Sequence, residues 1–168
     1  EFKAGRCLYL HRPANVKAAR LAFAAAADGS AKAFKAAVAA ALGQLKALGV
    51  VDLAVASVGG EALTAAHAEA LVAATGDAVY VYRHTKPSAP TAPKLASVSL
   101  VAAKAQVAAL TKGLRQGQAV AAGVALAREF GNRPGNHATP SYLAAEAKKL
   151  GKQFGFKVEV FDRKQITK

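Results

Sequence analysis

The sequence has no methionine, no tryptophan and a single cysteine, and aromatic residues make up only 7% of its 168 positions. The lone Cys7 excludes an internal disulfide. No charge-free apolar run reaches the length of about 18 residues that suggests a transmembrane helix, so no membrane span is predicted. Because methionine is missing and the first residues run directly into a strand-like pattern, we expect the chain to be a fragment of a longer protein.

Acidic residues are also scarce, since 10 Asp and Glu stand against 23 Lys and Arg, and the formal net charge is +13. Such a balance favours contact with polyanions, above all nucleic acid. The basic residues, however, form no dense run and are not interleaved with aromatic side chains. A DNA-binding surface, a solvated basic surface and a fragment whose acidic remainder lies elsewhere all stay open.

Apolar residues make up 53% of the chain, enough for a substantial core, although much of this fraction is alanine, which buries little area. Strand-like runs alternate with helical ones, and this order predicts an α/β fold with parallel pairing and right-handed crossovers. The strands are predicted at Arg6–Pro13, Leu21–Ala25, Val50–Val58, Asp77–His84, Leu95–Val101 and Phe156–Asp162. The Pro-rich segment Thr85–Lys94 is predicted to be irregular.

Two amphipathic helices are predicted among the first strands. One begins after Ser30 as N-cap and ends at Gly49. Its apolar stripe consists of Phe34, Val38, Leu42, Leu45 and Leu48. The other extends from about Glu61 to Thr75, and its inward side chains are predicted to be Leu63, Leu71 and Val72.

A single long helix is predicted from Ala105 to Phe130, which at about 1.5 Å per residue would span roughly 39 Å. Three glycines interrupt its pattern, at Gly113, Gly117 and Gly123. Because each glycine costs about 1 kcal/mol relative to alanine in a helix interior, we expect them to permit close packing against another backbone. A helix this long in so short a chain suits a connector between two domains.

The residues after this helix are typical of a joint between two helices. Gly131 or Asn132 is expected to cap the long helix in a left-handed conformation, and Pro134 prevents the helix from continuing. Gly135 and Asn136 permit a tight turn.

The next helix has a strong start signal, with Thr139 as N-cap and Pro140 at its first position. Its inward side chains are predicted to be Leu143, Ala147 and Leu150. Nothing in this joint needs to be catalytic.

Common catalytic and binding motifs are absent from the sequence, including HExxH, CxxC, GxSxG, the P-loop and GxGxxG. The histidines do not stand at metal-ligand spacing, and a surface or supporting role is expected for His11, His67, His84 and His137. The Gly59-Gly60 turn could present backbone N–H groups to a phosphate or could simply end a strand. Cys7 is expected to be a small buried hydrophobic residue. We therefore assign no catalytic, cofactor-binding or metal-binding residue.

The segment Ala127–Ile166 nevertheless resembles the leucine (cytosol) aminopeptidases, whose two domains meet at the pattern A-[RK]-x-L-x-N-x-P-x-N-x-x-T-P-x-Y-L-A. The matching positions are Ala127, Arg128, Asn132, Pro134, Asn136, Thr139, Pro140, Tyr142, Leu143 and Ala144. The chain departs from the family at Gly135, where a second proline is common, and at Phe130, where leucine is usual. Upstream, the first strands look like two strands of the family, which places the family's initial strands ahead of Glu1.

The resemblance implies a macro-domain-like mixed or parallel sheet flanked by helices over residues 1–104, without its first strands. A linker helix over 105–130 and the truncated start of a catalytic α/β domain over 131–168 would follow. The parent would release N-terminal amino acids from peptides with two divalent metals, Zn²⁺ or Mn²⁺, as a homo-hexamer in the cytoplasm.

The family's metal ligands and catalytic residues have no counterpart here, so no cofactor is expected in this chain itself. The resemblance instead implies a role in oligomer assembly and substrate access. The alternatives are a macro-like nucleotide- or DNA-binding module and an inactive structural paralogue.

Overall fold

The computed structural model describes residues 2–59 and 62–167, which form a mixed α/β fold with small sheets flanked by helices. The predicted fold class is confirmed. The strands are β1 (Cys7–His11), β2 (Arg20–Ala24), β3 (Asp52–Ala56) and β4 (Ser97–Val101). The helices are α1 (Ala31–Leu45), α2 (Ala65–Val79), α3 (Val107–Asn132), α4 (Pro140–Phe154) and α5 (Arg163–Ile166).

The chain divides into two compact units. Unit 1 comprises Glu1–Val81 and Ser88–Ala127, and unit 2 comprises Tyr82–Pro87 and Arg128–Lys168. This division does not test the predicted domain boundaries at residues 104 and 130, which stay a prediction.

Two separate two-stranded sheets lie in unit 1. β1 and β2 form an antiparallel hairpin in which Cys7 lies opposite Ala24. β3 and β4 are parallel, with Asp52 beside Ser97. Parallel pairing, predicted from the alternation of strands and helices, is seen between β3 and β4, whereas β1 and β2 have no helix between them and pair antiparallel. The short connection between β1 and β2 permits a hairpin but not a crossover, which needs a dozen or more residues.

The predicted strand Asp77–His84 is wrong. α2 begins after Thr64 and continues through Val79, and the chain forms no helix or strand from Tyr80 to Ala96. A short alternating apolar run fits a strand or the last turn of a helix equally well, and only packing decides between them. The predicted helix start at Glu61 lies outside the described residues.

The predicted strand Phe156–Asp162 is also wrong, because within residues 2–59 and 62–167 no other segment forms a ladder with it. Alternation in sequence supplies a strand's side-chain pattern but not the partner whose backbone groups it must bond.

Two predicted inward side chains, Leu48 and Leu143, are each 40% exposed.

The end of α3 differs from the predicted left-handed cap. Neither Gly131 nor Asn132 has a positive φ angle, and the helix runs through Asn132. It ends just before Arg133, which precedes Pro134 and is therefore disfavoured in a helical conformation. Pro134 alone thus accounts for the stop.

The core of unit 1 lies where α1 and α2 cover the β3–β4 sheet. Its buried members are Val38, Leu42, Leu71 and Ala74, and Leu53, Val55, Val98 and Leu100 pack against them from the strands. Full burial of a leucine stabilises a fold by about 1.5–3 kcal/mol. The stripe predicted for α1 therefore performs its expected role up to Leu45.

Two glycines bring α3 against α2. A Cβ atom built at Gly113 would lie 2.7 Å from the Cα of Ala65, and one at Gly117 would lie 3.0 Å from the Cα of Glu69. The expected close backbone approach is confirmed at both positions. It is wrong at Gly123, where a Cβ would meet open space.

Unit 2 is built on strong local signals. The Thr139 side chain accepts a hydrogen bond from the Tyr142 N–H at 3.2 Å, and Pro140 opens α4, as predicted. Gly155, in the left-handed region, ends the helix. Asp162 caps the single turn of α5.

Candidate functional site

The candidate site is a cavity of about 680 Å³ in unit 1, bounded by β2, α1 and β3. Its volume falls within the range of about 300–1,000 Å³ that is typical of small-molecule pockets. Its floor is the apolar face of α1, formed by Phe34, Ala37, Val38, Ala41 and Leu45. The polar side chains that line it include Asp28, Ser30 and His67.

His67 is a buried structural residue that leaves no ring nitrogen for a ligand. Its Nε2 lies 3.0 Å from the carbonyl oxygen of Gly29, so Nε2 carries the proton and donates it. Its Nδ1 then accepts from the N–H of Thr64 at 3.2 Å and from the Thr64 hydroxyl at 2.9 Å. The supporting role predicted for this histidine is thus what its geometry provides, since it fastens the start of α2 to the loop before α1.

Asp28 and Ser30 are engaged in the start of α1. The Asp28 carboxylate accepts the Ser30 N–H at 2.8 Å, and the Ser30 hydroxyl accepts the Ala33 N–H at 3.2 Å. Hydrogen bonds from Ser30 hold the pKa of Asp28 below its ordinary value. The polar lining of the cavity therefore consists largely of helix caps rather than of groups poised for acid or base chemistry.

The other histidines are exposed. His11 lies beside Tyr9, whose hydroxyl is 3.2 Å from its Nδ1. Within unit 2, the rings of His84 and His137 meet edge to face, with centroids 5.5 Å apart. Sequence reasoning missed this pair because its members lie far apart along the chain.

The remaining predicted positions carry no sign of chemistry. Cys7 is half-buried in β1, and burial raises the pKa of its thiol, which lowers its reactivity. Gly59 follows β3 with a φ of 145°, a value that favours glycine and explains its position by backbone geometry. Its partner in the predicted turn, Gly60, lies outside the described residues.

The joint before α4 is held by an aromatic cluster around Tyr142. An Nη1 hydrogen of Arg133 is donated to the Tyr142 hydroxyl, and the guanidinium carbon lies 4.9 Å from the ring centroid. Phe130 packs edge-on against the same ring at 5.9 Å. Glu129 lies 3.9 Å from Arg133. This cluster holds the turn between α3 and α4, which supports its interpretation as a structural joint.

Among residues 2–59 and 62–167, no three His, Cys, Asp or Glu side chains come together in a way that could hold a metal ion. None of the helices in these same ranges is long and apolar enough to cross a membrane.

Comparison with known proteins gives a consistent picture over the whole chain. The chain is 60% identical over 167 residues to the probable cytosol aminopeptidase of Methylibium petroleiphilum. This match covers 99% of this chain and 34% of that protein. It is 39% identical over 171 residues to the probable cytosol aminopeptidase of Polaromonas naphthalenivorans, with coverages of 100% and 32%. No family model matches.

Solved structures share the fold. A mutant of tomato leucine aminopeptidase superposes with a TM-score of 0.73 at 23% identity, over 99% of this chain and 33% of that one. The bottromycin maturation enzyme BotP gives a TM-score of 0.72 at 22% identity, with coverages of 99% and 35%.

The resemblance to the leucine (cytosol) aminopeptidase family is therefore confirmed. The chain spans about a third of the length of the relatives it matches.

Proposed function

We propose that this chain is the non-catalytic N-terminal portion of a leucyl aminopeptidase-like metallopeptidase of the cytoplasm, and that it serves oligomer assembly and substrate access. The parent would release N-terminal amino acids from peptides by two-metal hydrolysis. The observation that carries the proposal is the match to cytosol aminopeptidases at 60% identity along 99% of this chain but only 34% of the relative.

The expected metals do not fit the described part of this chain. Two-metal sites need several carboxylate or imidazole ligands on facing sides of a shared centre. The described residues offer no group of three such side chains, so we derive no catalytic step from them. BotP, which shares the fold, is known in complex with Mn. In our proposal, the Zn²⁺ or Mn²⁺ ions and the peptide substrate bind outside this chain.

The proposal is tested first with the isolated chain and a leucine anilide substrate in the presence of added Mn²⁺ or Zn²⁺. We expect no hydrolysis above the metal-only background. Turnover that scales with chain concentration would overturn the division of labour.

The role in assembly and access is tested in the Methylibium petroleiphilum relative. One variant exchanges the matched segment for this chain, and a second deletes that segment. We expect the exchange to preserve activity and the number of subunits per particle obtained from light scattering, and the deletion to lower that number and change KM for peptides. A deletion variant with an unchanged number of subunits and an unchanged KM would contradict the proposal.

A second candidate function, a nucleotide- or DNA-binding module, is favoured by the net charge of +13. Binding through phosphates weakens steeply with salt because counterions are released. A salt titration of DNA binding therefore separates the two candidates. Salt-dependent affinity that persists near 100 mM would support the module, and its absence would remove it.

A further inference from the structure

Two histidines of unit 2 meet in space although they lie far apart in the chain. The ring centroids of His84 and His137 are 5.5 Å apart, and the ring planes stand at 86° to one another. Both residues are exposed. Edge-to-face packing of aromatic rings is common and would by itself account for the contact. Imidazole is also the commonest metal ligand in proteins, which gives the pair a second use to be tested against packing.

The ring nitrogens of this pair are available for a ligand. Across residues 2–59 and 62–167, neither His84 nor His137 has a side-chain hydrogen bond. By contrast, both ring nitrogens of His67 are bonded within the protein. The Nδ1 of His11 lies 3.2 Å from the Tyr9 hydroxyl. A metal takes the lone pair of a neutral imidazole nitrogen, so the pair in unit 2 is the one whose nitrogens need not exchange a protein partner for the metal.

Each of the two histidines stands on a tight turn of the backbone. The Lys86 N–H donates to the Arg83 carbonyl at 3.2 Å, which closes a turn around His84. The His137 N–H donates to the Pro134 carbonyl at 2.8 Å, and the next N–H along the chain donates to the same oxygen at 2.9 Å. Because these backbones are already ordered, a ligand that binds both rings has less conformational entropy to remove.

The spacing of the two rings fits one shared tetrahedral metal ion. In a zinc–imidazole complex the metal lies about 2 Å from the bound nitrogen and therefore about 3.2 Å from the ring centroid. Two imidazoles on one tetrahedral zinc then have their centroids about 5.2 Å apart. The spacing of 5.5 Å between His84 and His137 is close to this value. Exposed side chains change rotamer within nanoseconds, so small rotations can direct one nitrogen of each ring toward a common ion.

The chemistry of the pair selects the class of metal. In the part of the chain that the structure describes, no Asp, Glu, Cys or further His completes a group of three with these two rings. Imidazole suits Zn²⁺, Cu²⁺ and Ni²⁺, whereas Mg²⁺, Ca²⁺ and Mn²⁺ prefer carboxylate and carbonyl oxygens. Two protein ligands leave the other coordination positions to water, so binding would be reversible and weaker than at a closed four-ligand site.

We propose that His84 and His137 form a reversible binding site for one Zn²⁺ ion or a metal of the same class, which would tie the loop Tyr82–Pro87 to the turn before α4 within unit 2. The site is separate from the catalytic metals of the parent, which the proposed function assigns to residues outside this chain. It depends only on residues of this chain, so it stands or falls independently of the proposed function.

The experiment titrates ZnCl₂ into the 168-residue chain, prepared without a histidine tag, and follows binding by isothermal titration calorimetry. We expect one ion per chain at the tightest site. His84→Ala and His137→Ala should each lower the affinity at least tenfold, and the double variant should lower it little further. Two ligands of one ion act as a unit, so their losses are not additive.

His11→Ala is the matched control, because it removes a single exposed histidine and should change the affinity less than twofold. If the variants at the pair lose no more affinity than this control, or if their losses add, the two rings do not share an ion and the proposal is wrong. MnCl₂ should bind at least tenfold more weakly than ZnCl₂. Equal affinity for the two metals would mean that oxygen ligands hold the ion, which would also refute the site.

Nuclear magnetic resonance of the unaltered chain gives a test that does not depend on a variant folding. Zinc should shift the ring signals of His84 and His137 together, and leave those of His11 and His67 in place. A shift of only one signal of the pair would contradict a shared ion. Light scattering at saturating zinc should show an unchanged mass, since a zinc-dependent dimer would mean that the ion bridges two chains instead.

Discussion

The buried hydrophobic side chains among the described residues all lie in unit 1, whereas large apolar side chains of unit 2 are exposed, including Phe154 at 67% and Phe161 at 56%. Unit 1 is held by helices packed on a sheet, and unit 2 by helix caps and the cluster around Tyr142. The difference teaches that secondary structure in unit 2 is specified locally, while in unit 1 it depends on partners distant in sequence. Substitutions should therefore act through different mechanisms in the two units.

The largest effect is expected from Leu42→Ala, which removes a side chain that is 1% exposed at the centre of the unit 1 core. Loss of burial and the resulting cavity should lower the free energy of unfolding by about 2–5 kcal/mol. Urea unfolding followed by circular dichroism measures it. The matched control in unit 2, Leu143→Ala, should cost less than about 1 kcal/mol because this leucine is 40% exposed. Equal losses would break the contrast between the units.

Gly113→Ala should lower the free energy of unfolding by about 1–3 kcal/mol, because its new Cβ would collide with the backbone of Ala65 and push α3 away from α2. Gly123→Ala is the control in the same helix. A Cβ there meets nothing within 4 Å, so the gain in helix propensity should stabilise the protein by about 0.5–1 kcal/mol. Thermal unfolding of both variants should give Tm shifts of opposite sign, and shifts of the same sign would refute the close packing.

Thr139→Ala removes the N-cap of α4 and should cost about 1 kcal/mol. Because unit 2 has little core to hold the helix, we expect faster hydrogen exchange of amides throughout α4. Ser30→Ala removes the corresponding cap of α1, whose buried face is packed in unit 1, so faster exchange there should be confined to the first turn. If exchange spreads equally through both helices, unit 2 is more strongly packed than its exposure indicates.

The smallest effect concerns Cys7 in β1 of unit 1. Burial raises the pKa of its thiol, so at pH 7.5 the thiolate fraction is lower in the folded chain than in the unfolded one. Alkylation by iodoacetamide should therefore be slower in buffer than in urea. Its dependence on pH should also be displaced to higher pH in the folded chain. Equal rates in the two conditions would show that this strand is not protected by the fold.

The sequence predicted best where a signal is local. The caps at Ser30 and Thr139 and the stop before Pro134 each depend on the chemistry of a few adjacent residues, and the structure has them where they were expected. The alternation of apolar and polar residues was the least reliable signal, since the strands it predicted at Asp77–His84 and Phe156–Asp162 do not form. A strand exists only where another backbone completes its hydrogen bonds, and that partner is not written in the strand itself.

The candidate site was less predictable than the fold. The sequence led us to assign no site residue, whereas the structure has a cavity bounded by β2, α1 and β3. Its lining is mostly alanine, valine and leucine, which carry no motif. Only packing brings residues of β2, α1 and β3 together around this cavity.

By itself, the sequence determined the starts of α1 and α4, the stop of α3 before Pro134 and the family resemblance, because capping and a specific residue pattern are properties of neighbouring residues. The tertiary structure decided which glycines of α3 meet a backbone, which alternating runs become strands and where the cavity forms. Those outcomes depend on contacts between residues far apart in the chain, and such contacts exist only once the helices have packed.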